Sequence, residues 1–396
     1  MTTQRVEDTL KYHIAAQLLP LQGLFVVMVM PIYSGGLVKQ FGFSSAQIAQ
    51  LATADSVGSF ISLAALTIWL KSMDRKLIAY IALAIIIGSN LANSVLTDYA
   101  STLVLRALHG AAGTAIFGLA CAFYGNTAQP DRWFAWRATL AVCIQSLAFQ
   151  FAPELIDTQG VSAIYFVSVM FTPLTLWAIA NLPNRPLPYL SHRHGDLERA
   201  VTDARDTKQP NIIIPILLWL VASAAFGFYY QPLFVFSERL GDRIGLSLEQ
   251  VGTVLAVSTF LGIIGSIAVS WQGDRLGRAL PIALGTLAGL AVCLLLYFWQ
   301  TIPSYWIGLS LFSIVWSYLP CFMQGYISVS DRSGRAIVAA QLLNVGGAAL
   351  ATTILGVIID RAGLNSAVYL AIIGIILTGV FALVGAALYR RKPPIN

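Results

Sequence analysis

The stretch "FGFSSAQIAQL", residues 41–51, reappears in the second half of the chain as "IGLSLEQVGTV", residues 244–254. Gly42 matches Gly245, Ser44 matches Ser247 and Gln47 matches Gln250, at an offset of 203 residues. Farther on, Asp74 and Arg75 match Asp274 and Arg275 at an offset of 200. A chain that repeats at about half its length carries two copies of one topology, so the contents of one copy fix the architecture of both.

Those contents are apolar. Of the 396 residues, 57% are hydrophobic and 11% charged, against roughly 25% charged in a soluble domain. Apolar runs of about 20 residues, each long enough to cross a hydrocarbon layer of about 30 Å as a helix, recur along the whole sequence. Twelve are expected, over 13–38, 45–70, 77–96, 100–124, 138–156, 160–182, 211–237, 247–271, 279–300, 303–328, 336–359 and 365–389. No alternation of short apolar and polar segments suggests a membrane β-barrel. Cys121, Cys143, Cys293 and Cys321 lie within apolar spans, without the spacing of a disulfide framework or metal site. The first span lacks a cleavage signature and reads as a retained helix, with no targeting peptide before it.

The net charge of +6 reflects orientation in a membrane and not binding of nucleic acid. With both termini placed in the cytoplasm, all but five of the 24 Lys and Arg fall on the cytoplasmic side, as the excess of basic residues in cytoplasmic loops requires. Lys39, Arg239, Arg243 and Arg361 fall on the other side, and Arg106 lies within a span. The expected location is the plasma membrane, of the bacterial inner-membrane type. The longest polar interruption, residues 184–210, is rich in charge and proline and reads as a cytoplasmic linker. It separates a six-span half, 1–183, from a second, 211–396. His192 and His194 within it have no acid or Cys cluster around them and read as solvated, so no metal is expected.

Two parallel six-helix halves related by an axis along the membrane normal are an arrangement of alternating-access transporters. The sequence here resembles the major facilitator superfamily. "GDRLGR", residues 273–278, is similar to the family's motif A through Asp274, Arg275, Gly277 and Arg278, with Ser270 where a first glycine is usual. The N-terminal copy, "LKSMDRKLI", keeps only Asp74, Arg75 and Lys76, a departure, since that copy is commonly the better preserved. "LVLRALHGAAG", residues 103–113, is similar to motif B of the fourth helix. The resemblance implies an all-α integral membrane fold of two pseudo-symmetric bundles. It also implies a cytoplasmic gate formed by Asp74, Arg75, Asp274, Arg275, Gly277 and Arg278. The fifth span, "AVCIQSLAFQFAPELI", lacks the glycine-proline motif of many drug antiporters.

Charges within the spans carry the functional reading, because each costs about 2.5–3.5 kcal/mol near a bilayer centre on insertion scales. Asp55 lies about ten residues into the second span and Arg106 about seven into the fourth, so their depths differ by only about 4–5 Å and they are expected to pair. Ser59 and Ser62 share the face of Asp55, while His109, Gly110 and Gly113 share that of Arg106. Asp55 aligns with Ser258 in the repeat, so the acid belongs to one half alone. Asp55 is read as a proton acceptor held by Arg106, with His109 as a neighbour for proton sharing. The alternative is a permanent ion pair that fixes packing.

By the resemblance, the first, fourth, seventh and tenth helices line the central path. Gln22 and Tyr33, then Tyr229, Tyr230 and Gln231, then Trp316, Tyr318 and Gln324 are the cavity candidates, with Gln341 and Asn344 from the eleventh span. Aromatic faces with a few directed amides suit a small-molecule site. No P-loop, HExxH or GxSxG signature is present, so neither an enzyme nor a cofactor is expected. The expected function is secondary transport of a small organic solute, anionic or zwitterionic, coupled to protons as a symporter. Export of lipophilic compounds or drugs is the alternative, and a non-transporting sensor is the alternative of another class. The expected partners are substrate, protons and membrane lipids, and the expected state is a monomer.

Overall fold

The computed structural model describes residues 10–69, 74–124, 130–182, 213–272, 279–330 and 335–390. Among these residues the chain is helical, with no strands. Eleven helices are long and apolar enough to cross a membrane, and a bent pair at the N-terminus supplies a twelfth span. The protein is therefore a multi-pass membrane protein, with twelve spans among the described residues when the bent pair is counted as one.

The first span consists of Leu10–Leu18, Leu21–Met28 and Met30–Phe41, with a 44° bend between Met28 and Met30. Pro31 accounts for the bend, because it lacks an N–H to bond the carbonyl four residues back and its ring crowds that carbonyl. The second to fifth spans are Ser45–Trp69, Arg75–Val95, Tyr99–Tyr124 and Pro130–Gln159. The sixth is Ser162–Met170 with Thr172–Asn181, interrupted where Pro173 starts the second piece. The seventh, Ile213–Val235, runs through Pro232 and is followed by a short helix, Ser237–Asp242. The eighth is Leu248–Leu261 with Ile263–Gln272, and the ninth to twelfth are Ala279–Phe298, Ile302–Ser330, Arg335–Ala362 and Asn365–Arg390.

The repeat of residues 41–51 and 244–254 is a turn. Gly42 and Gly245 have φ of +68° and +84°, left-handed values that a residue with a Cβ adopts only with strain. Two residues later a serine caps the next helix. Ser44 Oγ accepts from Gln47 N at 3.2 Å while Ser44 N donates to Gln47 Oε1 at 2.8 Å. Ser247 and Gln250 repeat this capping box at 3.2 and 2.9 Å. The three matched residues therefore stop one helix and start the next, in both halves.

The second span packs on the fourth, and the seventh on the eleventh and twelfth. Across the halves the second span meets the eleventh and the fifth meets the eighth. Thr53 donates to Thr352 Oγ1 at 2.9 Å, Ser146 to the carbonyl of Ala256 at 2.8 Å, and Ser34 to that of Val235 at 3.4 Å. One apolar core runs through both halves, from Phe25 to Ala386. Large apolar side chains such as Ile61, Leu147, Ile267 and Val357 are exposed on the outside, as a lipid-facing surface requires.

Because the cap is local, Ser247→Ala should remove about 1 kcal/mol and lower the thermal unfolding midpoint of the detergent-solubilised protein, while Ser247→Asp should keep it.

Candidate functional site

The second and fourth spans approach closely because glycines face each other's backbone. A Cβ at Gly58 would lie 2.1 Å from the carbonyl oxygen of Ala107, and one at Gly110 would lie 2.2 Å from that of Asp55. Ser59 Oγ donates to the carbonyl of Gly110 at 3.1 Å, and Thr114 donates to Ser59 Oγ at 2.7 Å. On the neighbouring face of the fourth span, Gly113 lies against the backbone of Gly23 in the first. Arg106, one turn away from Gly110, is thereby enclosed by three spans and is 0% exposed.

Its counter-charge is Asp55. Arg106 Nη2 lies 2.9 Å from Asp55 Oδ2. This is a charge contact rather than an aligned hydrogen bond, and Arg106 Nε and Nη1 and Asp55 Oδ1 have no hydrogen-bond partner among the described residues. The guanidinium carbon sits 5.6 Å from the centre of the Tyr33 ring, within range of a cation–π contact. The Tyr33 hydroxyl is 2.7 Å from that of Tyr165 in the sixth span. His109 is fully buried beside this group, and neither ring nitrogen has a hydrogen-bond partner among the described residues. A buried guanidinium has five N–H donors to satisfy, so the site is charge-balanced but short of hydrogen bonds.

The second half carries the same packing without the charge. Ser258, which aligns with Asp55, lies 3.2 Å from Ser310 Oγ in the tenth span, and Ser310 is offset from Arg106 by 204 residues. One pair of crossing spans is thus joined by two hydroxyls where its counterpart is joined by two opposite charges.

The sequence profile of the Major Facilitator Superfamily matches residues 21–352, most of the chain. The chain belongs to that superfamily. The sialic acid transporter NanX of Escherichia coli (strain K12) is 22% identical over 219 residues, 53% of each chain, so the alignment spans about half of that relative. Among solved structures, the nucleoside transporter NupG superposes with a TM-score of 0.67 at 14% identity, covering 96% of this chain and 100% of that one. The human organic anion transporter MFSD10 gives 0.61 at 15% identity, covering 94% and 98%. At such identities the structures speak for the fold.

Within this superfamily fold, the cavity candidates separate into groups. Gln22 is fully buried, donating to Thr172 Oγ1 at 3.0 Å, and its carbonyl accepts from Ser168, which also accepts from Asn90. It joins the first, third and sixth spans. Tyr229 is fully buried against Phe226 and Phe312, with its hydroxyl unpartnered among the described residues. Tyr230 stacks obliquely on Phe226, and Gln231 is half-buried. Tyr318 donates to Gln272 Oε1 at 2.7 Å, whereas Trp316 is 47% exposed. Asn344 donates to the carbonyl of Ser223 at 2.9 Å, and Gln341 is exposed. The Gln324 side chain lies outside the described residues. Of these candidates, Tyr33 stands at the charge pair.

Among the gate residues, Asp74 caps the third span, accepting from the backbone N–H groups of Lys76 and Leu77 at 2.9 and 3.0 Å. Arg75 is half-buried in the first turn of that helix. Asp274, Arg275, Gly277 and Arg278 lie outside the described residues. Tyr165, Asn90 and Ser168 are participants that the sequence reading passed over, although each is a polar group inside an apolar span.

Because the Gly110 contact is with backbone, Gly110→Ala should force the spans apart and destabilise the protein by about 1–3 kcal/mol. The loss should appear as a drop in the thermal midpoint larger than that of Ala111→Gly, which leaves the contact open.

Proposed function

We propose that the protein is a secondary transporter of a small organic anion or zwitterion, coupled to protons through Asp55 and Arg106. The observation that carries this reading is the unequal treatment of equivalent crossings, charged between the second and fourth spans and neutral between the eighth and tenth. If holding two helices together were the whole task, the serine pair shows that hydroxyls suffice. A buried ion pair gives little net stability over a neutral contact, yet breaking it by removing one partner costs about 3–5 kcal/mol. A device with that property is suited to switching.

The step follows from charge balance. A proton on Asp55 neutralises the acid and leaves the Arg106 guanidinium buried without a counter-ion. A solute carboxylate entering beside Arg106 restores the balance, and the Tyr33 ring supplies an apolar face next to it. Proton and anion then favour each other's binding, which is the reciprocal linkage that coupled uptake needs. His109, buried next to Arg106, serves as a neighbour for proton sharing. The sialic acid transporter that matches about half of the chain supports an acidic solute. Alternating access of the two halves, with both termini on the cytoplasmic side, completes the proposal and follows the basic residues of the loops.

The test is uptake into proteoliposomes from a panel of organic acids, sugars and nucleosides, with and without an inward proton gradient. The wild type should concentrate an acid only with the gradient. Asp55→Asn should lose gradient-driven accumulation while retaining exchange, and Arg106→Gln should raise the KM for the acid at least about tenfold. The double variant, which removes both charges, should fold better than either single variant. Undiminished gradient dependence in Asp55→Asn rejects the coupling role.

A further inference from the structure

A second carboxyl is buried where the halves meet, at the end of the molecule where the seventh span stops and the eighth begins. Glu238 lies at the start of the short helix Ser237–Asp242, just beyond the seventh span, and is 7% exposed. It sits on Gly35 of the first span: a Cβ there would lie 2.4 Å from the Glu238 carboxyl carbon and 2.7 Å from Oε1. Oε2 has no hydrogen-bond partner among the described residues. Across the seam Ser34 donates to the carbonyl of Val235, and within the second half Tyr305 donates to that of Ser237 at 2.7 Å. A carboxyl of the second half is thus seated in a notch of the first that only a glycine leaves open.

The nearby charges are otherwise engaged. On its own helix, Arg239 pairs with Asp242 at 3.7 Å, and beyond it Arg243 donates to Asn365 Oδ1 at 2.6 Å. On the first span, Lys39 bridges to Asp157 at 2.8 Å. The eighth span contributes Glu249, which is exposed, and the tenth contributes Tyr305. None of the cations forms an ion pair with Glu238 among the described residues.

We propose that Glu238 is a second proton-binding site, filled while the halves are closed at this end and emptied when they part. The proposal is separate from the charge pair, but rests on the reading that the halves move apart during transport. Burial pushes the Glu238 carboxyl up to about 7, with Arg239 opposing and Asp242 adding to the rise. Once the seam opens and water enters, the carboxyl returns to its ordinary value of about 4.3. The closed seam therefore gains its full advantage below the ordinary value and loses it as pH rises through about 7. That difference amounts to a few hundredfold in the closed-to-open ratio at most. The ligand is a proton from the compartment this end faces.

The test uses the full chain in lipid nanodiscs, with its four cysteines replaced by alanine and spin labels at Lys39→Cys and Glu249→Cys, one on each half at this end. Between pH 5 and pH 8 the closed population should fall relative to the open one by at least about tenfold. Glu238→Gln, neutral at every pH, should stay closed throughout. Gly35→Ala, which pushes the carboxyl out of its notch, should open at pH 5 and lose the response, which keeps the proposal testable should Glu238→Gln not fold. Two distances whose ratio follows pH equally in wild type and in either variant overturn the proton site and leave alternating access standing. A single distance at every pH, with and without transported solute, overturns both.

Discussion

A guanidinium enclosed by three apolar helices is the constraint on which much of the first half depends. Arg106 is fully buried, and an uncompensated charge at that depth would cost several kcal/mol. The second span must therefore deliver Asp55 to it, which requires the two backbones to nearly touch. Gly58 and Gly110 permit that approach. The first span must then pass over the same place, which Gly23 and Gly113 permit, and the bend at Pro31 carries Tyr33 over the guanidinium. In lipid there is no hydrophobic force between helices to supply this order, so close packing and polar contacts supply it.

Where the two halves differ is more informative than where they agree. Gly42, Ser44 and Gln47 recur as Gly245, Ser247 and Gln250 because each turn needs the same stop and the same cap. Such residues report how the chain folds. Asp55 and Arg106 correspond to Ser258 and Ser310 in the other copy, and this mismatch separates a packing requirement from a requirement specific to one half. A neutral hydroxyl pair cannot change its charge within the physiological range, whereas a carboxylate can. The proposed coupling role rests on this asymmetry and not on any particular substrate.

Much of this was legible in the residues alone. Twelve spans follow from the thickness of a bilayer, and the pairing of Asp55 with Arg106 follows from counting residues inward from the helix ends at about 1.5 Å each. The rotation of each helix about its axis was not legible, because spans that are apolar nearly all round carry little record of which face is inside. Gln22 and Asn344, both read as cavity residues, also bond a neighbouring helix of their own half, at Thr172 and at the carbonyl of Ser223, contacts that the sequence pattern does not record. Glu238 was hidden for another reason. In sequence it stands with Arg239, Asp242 and Arg243 between the seventh and eighth spans, and only the fold reveals that it turns onto Gly35.

The two buried acids differ in what surrounds them, and the tasks proposed for them differ accordingly. Asp55 has a cation at 2.9 Å, so its charge is compensated while the pair is intact. Glu238 has no paired cation among the described residues and sits where the halves touch, so its charge is opposed by closure itself. In the proposed cycle a proton at Asp55 changes what the site attracts, whereas a proton at Glu238 changes which arrangement of the halves is stable. Tight coupling needs both kinds of event, since a ligand moves a two-state equilibrium only by its difference in affinity for the two states. The glycines at 35 and 110 are the common element, because each brings a carboxyl against a backbone that a single methyl group would hold off.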